Sequence, residues 1–200
     1  MVYVVVCDAG NSRIQAFNPD ASLAYSFGSN GPAPGQLDRP RGVAIDASGG
    51  IVVADYGNKR IQVMRPDGSV QRLIAHLDGP HGVAVDAHGR IVVAEWGGHR
   101  IKVIDADGSV ALSFGSKGQA VGQFNRPWGV AVEEQGCIVV ADQWNHRVQV
   151  FNSDGSGARQ LGTEGPAVGQ LKYPIGVAVD GAGRLLVAEC AAGNKRLQVF

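Results

Sequence analysis

Aromatic, arginine and histidine side chains recur at equivalent points of this chain, next to its Pro-x-Gly segments and its short polar turns. These residue types combine flat rings with positive charge, a combination that suits protein interface hot spots and surfaces that bind single-stranded RNA. All three tryptophans belong to the set. We predict that they form one ligand-binding face, made of Arg39, Arg41, Tyr56, His81, Trp96, Arg126, Trp128, Trp144, Lys172 and Tyr173.

A second pattern pairs a carboxylate with an arginine five to seven residues later, once in each unit of the chain. A catalytic site is unique, whereas this pairing is repeated, so we interpret it as an architectural bond across a turn. Breaking one such buried pair would be costly. The pairs are Asp8 with Arg13, Asp55 with Arg60, Glu95 with Arg100, Asp142 with Arg147, and Glu189 with Arg196.

The sequence gives little indication of a metal site or of a catalytic nucleophile. A zinc site on a repeated scaffold needs several histidines or similar ligands at matching positions. The middle position of the Pro-x-Gly segment instead holds Arg41, His81, Trp128 and Ile175, of which only His81 is a histidine. Neither a Gly-x-Ser-x-Gly elbow nor a phosphate-binding loop is present. We therefore expect no catalytic residues, no metal site and no cofactor.

The elements that position these residues follow from an internal repeat. Pro40, Pro80, Pro127 and Pro174 are separated by 40, 47 and 47 residues, and the segments that follow them are almost superimposable. The short step arises because the linker before Pro80 has lost seven residues of the pattern FGSNGPAPGQL. A period of 40 to 50 residues with several short strands is typical of a β-propeller.

Each unit contains three apolar runs and a weaker fourth, separated by Gly-rich or Asp-Gly turns, which indicates a four-stranded antiparallel meander. The predicted fold is all-β, with about four and a half to five blades in one domain spanning 1–200. A partial blade covers 1–34, and complete or nearly complete blades cover about 35–76, 77–120, 121–168 and 169–200.

The motif Pro-x-Gly-Val-Ala-Val-Asp, then Val-Ala-Asp, then Asn-x-Arg-x-Gln-Val-Phe, resembles the NHL repeat across essentially the whole chain. The linker FGSKGQAVGQFNRPWGVAV is most similar to the NHL domains of tripartite-motif (TRIM-NHL) ubiquitin ligases. The resemblance implies a ring that usually has six blades. Three alternatives follow for this chain: a fragment of such a ring, a smaller ring, or a propeller completed by self-association.

Strand direction alternates in a meander, so the Pro-x-Gly entries and the loops between second and third strands emerge on one face. The predicted ligand-binding residues all lie there. The opposite turns carry small and acidic residues such as Asp46, Asp67 and Asp154. The chain has a formal net charge of zero, so any electrostatic attraction of a ligand must be local.

Three widely spaced cysteines, Cys7, Cys137 and Cys190, lie in apolar runs without the close pairs of zinc or redox motifs. We expect buried thiols, a reducing, cytoplasmic location and no membrane segment.

The resemblance implies a recognition module that binds protein or single-stranded RNA, of the kind that selects targets for a ubiquitin ligase and is not itself an enzyme. The RING domain that would carry ligase activity is not recognisable in these residues. Some propellers related to the NHL fold are metal-dependent lyases or lactonase-like hydrolases that use the central channel, and this is the alternative function.

Overall fold

Short apolar strands joined by tight turns form every sheet of the protein. The computed structural model describes residues 4–191 and 194–200. They form five antiparallel sheets, the blades of a β-propeller. The strands are β1 (Val4–Asp8), β2 (Arg13–Phe17), β3 (Leu23–Phe27), β4 (Pro40–Ile45), β5 (Ile51–Asp55), β6 (Arg60–Met64), β7 (Val70–Ile74), β8 (Pro80–Val85), β9 (Ile91–Glu95), β10 (Arg100–Ile104), β11 (Val110–Phe114), β12 (Pro127–Val132), β13 (Ile138–Asp142), β14 (Arg147–Phe151), β15 (Arg159–Leu161), β16 (Pro174–Val179), β17 (Leu185–Ala191) and β18 (Asn194–Val199). Ala9–Asn11 and Gln143–Asn145 form short 3-10 turns.

Three blades have the predicted four strands, in the orders β4-β5-β6-β7, β8-β9-β10-β11 and β12-β13-β14-β15. The first and last sheets have three strands each. In the first blade, β1 aligns with the second strand of a complete unit, because its sequence VVVCD corresponds to IVVAD at 51–55. The prediction of an all-β propeller with about five blades is confirmed.

The inner strands β4, β8, β12 and β16 pack against one another around the axis. The glycine of each Pro-x-Gly segment permits this approach. A Cβ on Gly82 would lie 2.4 Å from the carbonyl oxygen of Trp128, and one on Gly42 would lie 2.3 Å from that of His81. Only a residue without a side chain fits there. The middle residues of successive Pro-x-Gly segments are therefore brought close to one another.

The core lies between neighbouring blades, where apolar residues of the second and third strands are fully buried. One cluster joins Val92, Ile101 and Val140 with Phe124 and Phe151. Phe124 belongs to a linker, so the linkers pack into the core and do not form free loops. Leu37 and Leu171 occupy the same position in two other linkers and are equally buried.

The repeated carboxylate–arginine pairs are structural, as predicted, and all five form. In the second blade, Asp55 accepts hydrogen bonds from the Asp38 backbone N–H at 2.7 Å and from Arg60 Nε at 2.7 Å. Asn58 and Gln62 also donate to this carboxylate, at 2.9 and 3.1 Å. Glu95, Asp142 and Glu189 accept the equivalent backbone N–H, so four of the five pairs join the end of a second strand to the entry of its own blade.

Aspartates in the turns of the opposite face hold their own loops together. Asp46 accepts hydrogen bonds from the Ser48 hydroxyl at 2.6 Å and from the Gly50 backbone N–H at 2.7 Å. Burial alone would raise the pKa of Asp46, but these hydrogen bonds hold it below its usual value. The acidic face is therefore a set of self-capped turns.

The prediction that all three cysteines are buried is wrong. Cys7 and Cys137 are half-buried, and burial raises the pKa of the Cys7 thiol to about 12. Cys190 is exposed. It lies opposite Lys195, on the same face of the last sheet as the exposed Leu197 and Val199. No helix in the described ranges has the length and apolar composition of a membrane span.

Candidate functional site

The loops of the predicted binding face are held in unusual backbone conformations. Residues that precede the Pro-x-Gly prolines have positive φ, including Arg126 at 56° and Tyr173 at 51°. In the loops between second and third strands, His99 and His146 also have positive φ, of 50° and 53°. Left-handed conformations are strained for residues other than glycine and persist only where neighbouring contacts hold them.

Two histidines supply those contacts by linking successive blades. His99 Nδ1 accepts the backbone N–H of Arg126 at 3.1 Å, and His146 Nδ1 accepts that of Tyr173 at 3.1 Å. Neither histidine was among the predicted binding residues. Their recurrence 47 residues apart, beside the entry of the next blade, is the signal that could have identified them as positioning residues.

Arg126 lies between two indole rings. Its guanidinium carbon is 4.2 Å from the ring centroid of Trp96 and 4.3 Å from that of Trp144. These distances are well within the range of cation–π attraction, which contributes about 0.5 to 2 kcal/mol per contact. Two rings from adjacent blades thus hold one cation in a fixed position.

A second group of cation–π contacts involves residues of the second and fourth blades. The Arg41 guanidinium is 5.5 Å from the Tyr56 ring and 5.8 Å from the Trp128 ring. Arg39 also lies over Tyr56, at 5.4 Å, but it forms an ion pair with Asp38 at 3.1 Å. Arg41 is exposed, so its charge faces solvent.

His81 joins the two groups into one cluster. Its ring lies edge-on to Tyr56 at 4.7 Å and to Trp128 at 4.4 Å, and it stacks on Trp96 at 5.4 Å. The side chain is buried, with the residue 3% exposed, and Nδ1 lies 3.2 Å from the Gly79 carbonyl oxygen. Burial lowers the pKa of His81 to about 4, so the imidazole is neutral at physiological pH.

The structure therefore brings nine of the ten predicted residues into one continuous surface, which we call the aromatic–arginine ladder. Tyr173 joins its far end through edge-on contacts with Trp144 at 6.0 Å and with His146 at 4.3 Å. Lys172 is the exception: its backbone N–H donates to Glu189 at 2.6 Å, and among the described residues its side chain forms no hydrogen bond, ion pair or ring contact with the ladder. The ladder consists of Arg39, Arg41, Tyr56, His81, Trp96, Arg126, Trp128, Trp144 and Tyr173.

Two features of the ladder are suited to a ligand. Within the part of the chain that the structure describes, the guanidinium groups of Arg41 and Arg126 donate no hydrogen bond and form no ion pair. Trp144 is 45% exposed. A guanidinium presents several N–H donors in one plane, which match the oxygens of a carboxylate or phosphate.

A cavity of about 260 Å³ opens beside the ladder, between the second and third blades. Tyr56, Lys59, Asp78 and Trp96 contribute to its walls. The indole Nε1 of Trp96 is buried and has no acceptor among the described residues. A buried donor without an acceptor is unfavourable, so this N–H would gain from an oxygen of a water or a ligand.

The described residues contain no group of three or more His, Cys, Asp or Glu side chains that could hold a metal ion. The expected lack of a metal site and cofactor stays a prediction.

Comparison with protein families identifies the repeat. The NHL repeat model matches residues 37–64, 77–104, 124–151 and 171–200, which is more than half of the chain. A search of curated proteins gave no match. Nothing in these comparisons connects the chain to tripartite-motif ligases in particular.

Solved structures share the fold at low sequence identity. A streptogramin B lyase structure superposes with a TM-score of 0.75 at 13% identity, covering 99% of this chain and 64% of that chain. Virginiamycin B lyase from Staphylococcus aureus gives 0.71 at 16% identity, with 99% and 66% covered. A gluconolactonase from Xanthomonas campestris gives 0.65 at 23% identity, with 80% and 57% covered. The chain spans less than two thirds of the length of each of these structures.

These similarities correct one prediction. We predicted that the chain is not an enzyme, because the NHL resemblance implies a recognition module and the sequence shows no catalytic or metal-binding motif. That prediction is wrong, because chains of the same fold include lyases and a gluconolactonase. The propeller architecture is therefore compatible with catalysis.

Proposed function

The chain belongs to the NHL-repeat family of β-propellers, and we propose that it recognises an anionic segment of a macromolecule through the aromatic–arginine ladder. The observation that carries this proposal is the pair of guanidinium groups, Arg41 and Arg126, which rings hold in place without any acidic partner in the described structure. A ligand carboxylate or phosphate would supply the missing acceptors.

The energetics favour binding at this position. Hydrogen bonds between charged groups contribute about 1.5 to 3 kcal/mol each, roughly twice as much as neutral ones. Arg126 is already immobilised between Trp96 and Trp144, so a ligand does not have to order this side chain. Preorganisation of this kind increases affinity by reducing the entropy lost on binding.

Protein is the ligand class that the ring geometry favours over single-stranded RNA. Nucleobases bind by stacking on free ring faces. Here Trp96 stacks on His81 and also contacts Arg126, while Trp128 contacts both His81 and Arg41. Because the chain's own side chains use these faces, the ladder offers guanidinium N–H groups and the exposed Trp144 instead. An acidic peptide segment suits this surface, because its carboxylates accept hydrogen bonds from the guanidinium groups.

The test is a binding titration with two labelled probes, a Glu/Asp-rich peptide of about ten residues and a U-rich RNA of similar length, at low and high salt. We expect the peptide to bind more tightly than the RNA. Arg126→Gln removes one charge-assisted contact and should weaken peptide binding by about tenfold or more, since each factor of ten corresponds to about 1.4 kcal/mol. It should also flatten the salt dependence.

Arg65→Gln is the matched control, because Arg65 is exposed on a turn of the opposite face. It removes the same charge from the whole protein and should leave the affinity within about twofold. Equal weakening in both variants would show that only net charge matters. Tighter binding of the RNA, lost in Trp128→Ala and Arg126→Gln, would reassign the ladder to nucleic acid.

Further parts of the proposal rest on resemblance. We propose that the propeller selects targets for a ubiquitin ligase whose RING domain is on another segment or chain, and that it acts in the cytoplasm. Self-association is proposed from exposed aliphatic residues on the outer faces of the first and last sheets. These are Val4, Val6, Leu23, Leu197 and Val199.

A second candidate function is catalysis at the aromatic–arginine ladder. The observation that favours it is the neutral imidazole of His81 at the centre of the ladder. Burial lowers the pKa of His81 to about 4, so its neutral imidazole could polarise a substrate carbonyl by donating a hydrogen bond to it. A streptogramin B lactone and a sugar lactone are suitable probe substrates, given the titles of the similar structures. Turnover of either compound that His81→Gln abolishes would support this function, and no turnover of either would reject it for these substrates.

A further inference from the structure

The third blade differs from the second, fourth and fifth blades in how the arginine of its carboxylate–arginine pair is covered. In the second blade, the linker that precedes β4 folds over Arg60. The guanidinium donates to three linker carbonyls, those of Pro32 at 2.7 Å, Ala33 at 2.9 Å and Gln36 at 2.8 Å. Every guanidinium nitrogen of Arg60 therefore has a partner within the protein, Asp55 on one side and the linker on the other.

The same three-carbonyl cover recurs in two other blades. The carbonyl acceptors are Gln119, Ala120 and Gln123 for Arg147, and Pro166, Ala167 and Gln170 for Arg196. Three independent copies show that a turn of peptide backbone is what this position of the propeller is shaped to hold.

The linker before the third blade is seven residues shorter, and it does not reach Arg100. Arg100 Nε still donates to Glu95. Its two terminal nitrogens have no acceptor in residues 4–191 and 194–200. The Arg100 side chain is accordingly 38% exposed, against 10% for Arg60, 4% for Arg147 and 24% for Arg196.

Two neighbouring residues have changed together with the linker. Gly98 stands where the second blade has Asn58, whose Nδ2 donates to the linker carbonyl of Gly31 at 2.9 Å. Lys102 stands where the second blade has Gln62, whose Oε1 accepts a linker N–H at 3.0 Å. Both side chains that would hold a linker are thus replaced, one by a glycine and one by a cation.

These changes uncover a site on the rim, which we call the recess, where Arg100 is 38% exposed and Lys102 14% exposed above the fully buried Glu95, with Lys102 Nζ 3.2 Å from Glu95. The recess carries two positive charges and one negative charge, whereas the second blade carries one of each. We propose that this recess binds a peptide segment of a protein partner in trans, folded like the chain's own linkers and carrying an acidic residue.

The acidic residue follows from the exchange of Gln62 for Lys102. A glutamine accepts the N–H of a linker glycine, but a lysine only donates. The occupant of the third blade therefore needs an acceptor at the point equivalent to Gly169, whose N–H meets Gln198 Oε1 at 3.0 Å in the last blade. Gly169 has positive φ and open space around its Cβ, and aspartate tolerates both conditions.

The experiment compares two blocked synthetic peptides that copy residues 161–171, the natural sequence and one with Gly169→Asp. Each is titrated into the full chain and followed by calorimetry. We expect saturable binding of the aspartate peptide, at least several-fold tighter than that of the natural peptide. Arg100→Gln should weaken it by about tenfold. Arg126→Gln should not weaken it, which separates this site from the ladder.

A second variant fills the recess from within the chain. Seven residues of the longer linker are inserted between Ile74 and Leu77, together with Gly98→Asn and Lys102→Gln. This variant should fold at least as stably as the original and should lose peptide binding. The proposal is overturned if neither peptide binds the original chain at about 1 mM, or if the filled variant binds as well as the original.

Discussion

Linkers cover the arginine of some carboxylate–arginine pairs but not of others. We therefore predict that replacing the arginine lowers the free energy of unfolding by different amounts in different blades. In Arg147→Met, Asp142 keeps its burial but loses its counter-ion, and the linker carbonyls that Arg147 bound lose their donor. Leaving one charge of a buried pair uncompensated costs about 3 to 5 kcal/mol. Hydrogen bonds to Asp142 from Asn125, Asn145 and Gln149 remain, so we expect about 3 to 4 kcal/mol.

Arg100→Met is the matched variant in the third blade. Lys102 still neutralises Glu95 after the change, and no linker carbonyl is orphaned. Burial alone would raise the pKa of Glu95, but donation from Arg100, the Asp78 N–H and Lys102 holds it low. With one of these donors removed, we expect a loss of about 1 to 2 kcal/mol, the range of a single part-buried charge-assisted contact.

Urea-induced unfolding of both variants and the original chain, at pH 7 and followed by circular dichroism, gives the two differences in free energy of unfolding. We expect Arg147→Met to be the more destabilising by about 2 kcal/mol. Equal losses would refute it, because they would mean that the linker carbonyls contribute nothing to the stability of the pair.

Three further predictions concern titration, packing and assembly. His81 has a folded pKa of about 4, below its unfolded value near 6.5, so its contribution of about 3 kcal/mol is fully present above pH 6.5 and is lost as the pH falls through 4. His81→Gln should flatten the pH dependence of stability between those values. Gly82→Ala places a Cβ 2.4 Å from a carbonyl of the next blade and should cost about 1 to 3 kcal/mol, while Gly181→Ala, with open space around it, should cost under about 1 kcal/mol. Light scattering should give the mass of a dimer, and Leu197→Lys, on an exposed apolar sheet face, should shift it to a monomer.

Each of these predictions has a clear contrary outcome. A pH profile that is the same with and without His81 would mean that its protonation is not coupled to folding. Tolerance of alanine at Gly82 would show that the inner strands can separate freely. A monomer with Leu197 intact would remove the proposed self-association.

The fold and one face of it were predictable from the sequence because the repeat is so regular. Four Pro-x-Gly segments and the strand alternation that follows them are enough to place Trp96, Trp128 and Trp144 on one side. Blade-to-blade differences also indicated the shortened linker before Pro80. These inferences need only the period and the direction of each strand.

Contacts between blades could not be predicted from the sequence. The position of Arg126 between Trp96 and Trp144 depends on how closely adjacent inner strands approach, and this distance is determined by packing at Gly82 and its equivalents. The exposure of Cys190 was likewise missed, because an apolar run does not reveal whether another sheet covers its outer face.

The central claim is that the aromatic–arginine ladder binds an anionic partner segment, and intrinsic tryptophan fluorescence tests it most directly. All three tryptophans of the chain lie in the ladder, so the signal reports on this surface alone. Titration with the acidic peptide, which contains no aromatic residue, should give a saturable change that Arg126→Gln abolishes and Arg65→Gln preserves. A fluorescence signal that does not change while the labelled peptide binds would place the binding elsewhere and contradict the claim.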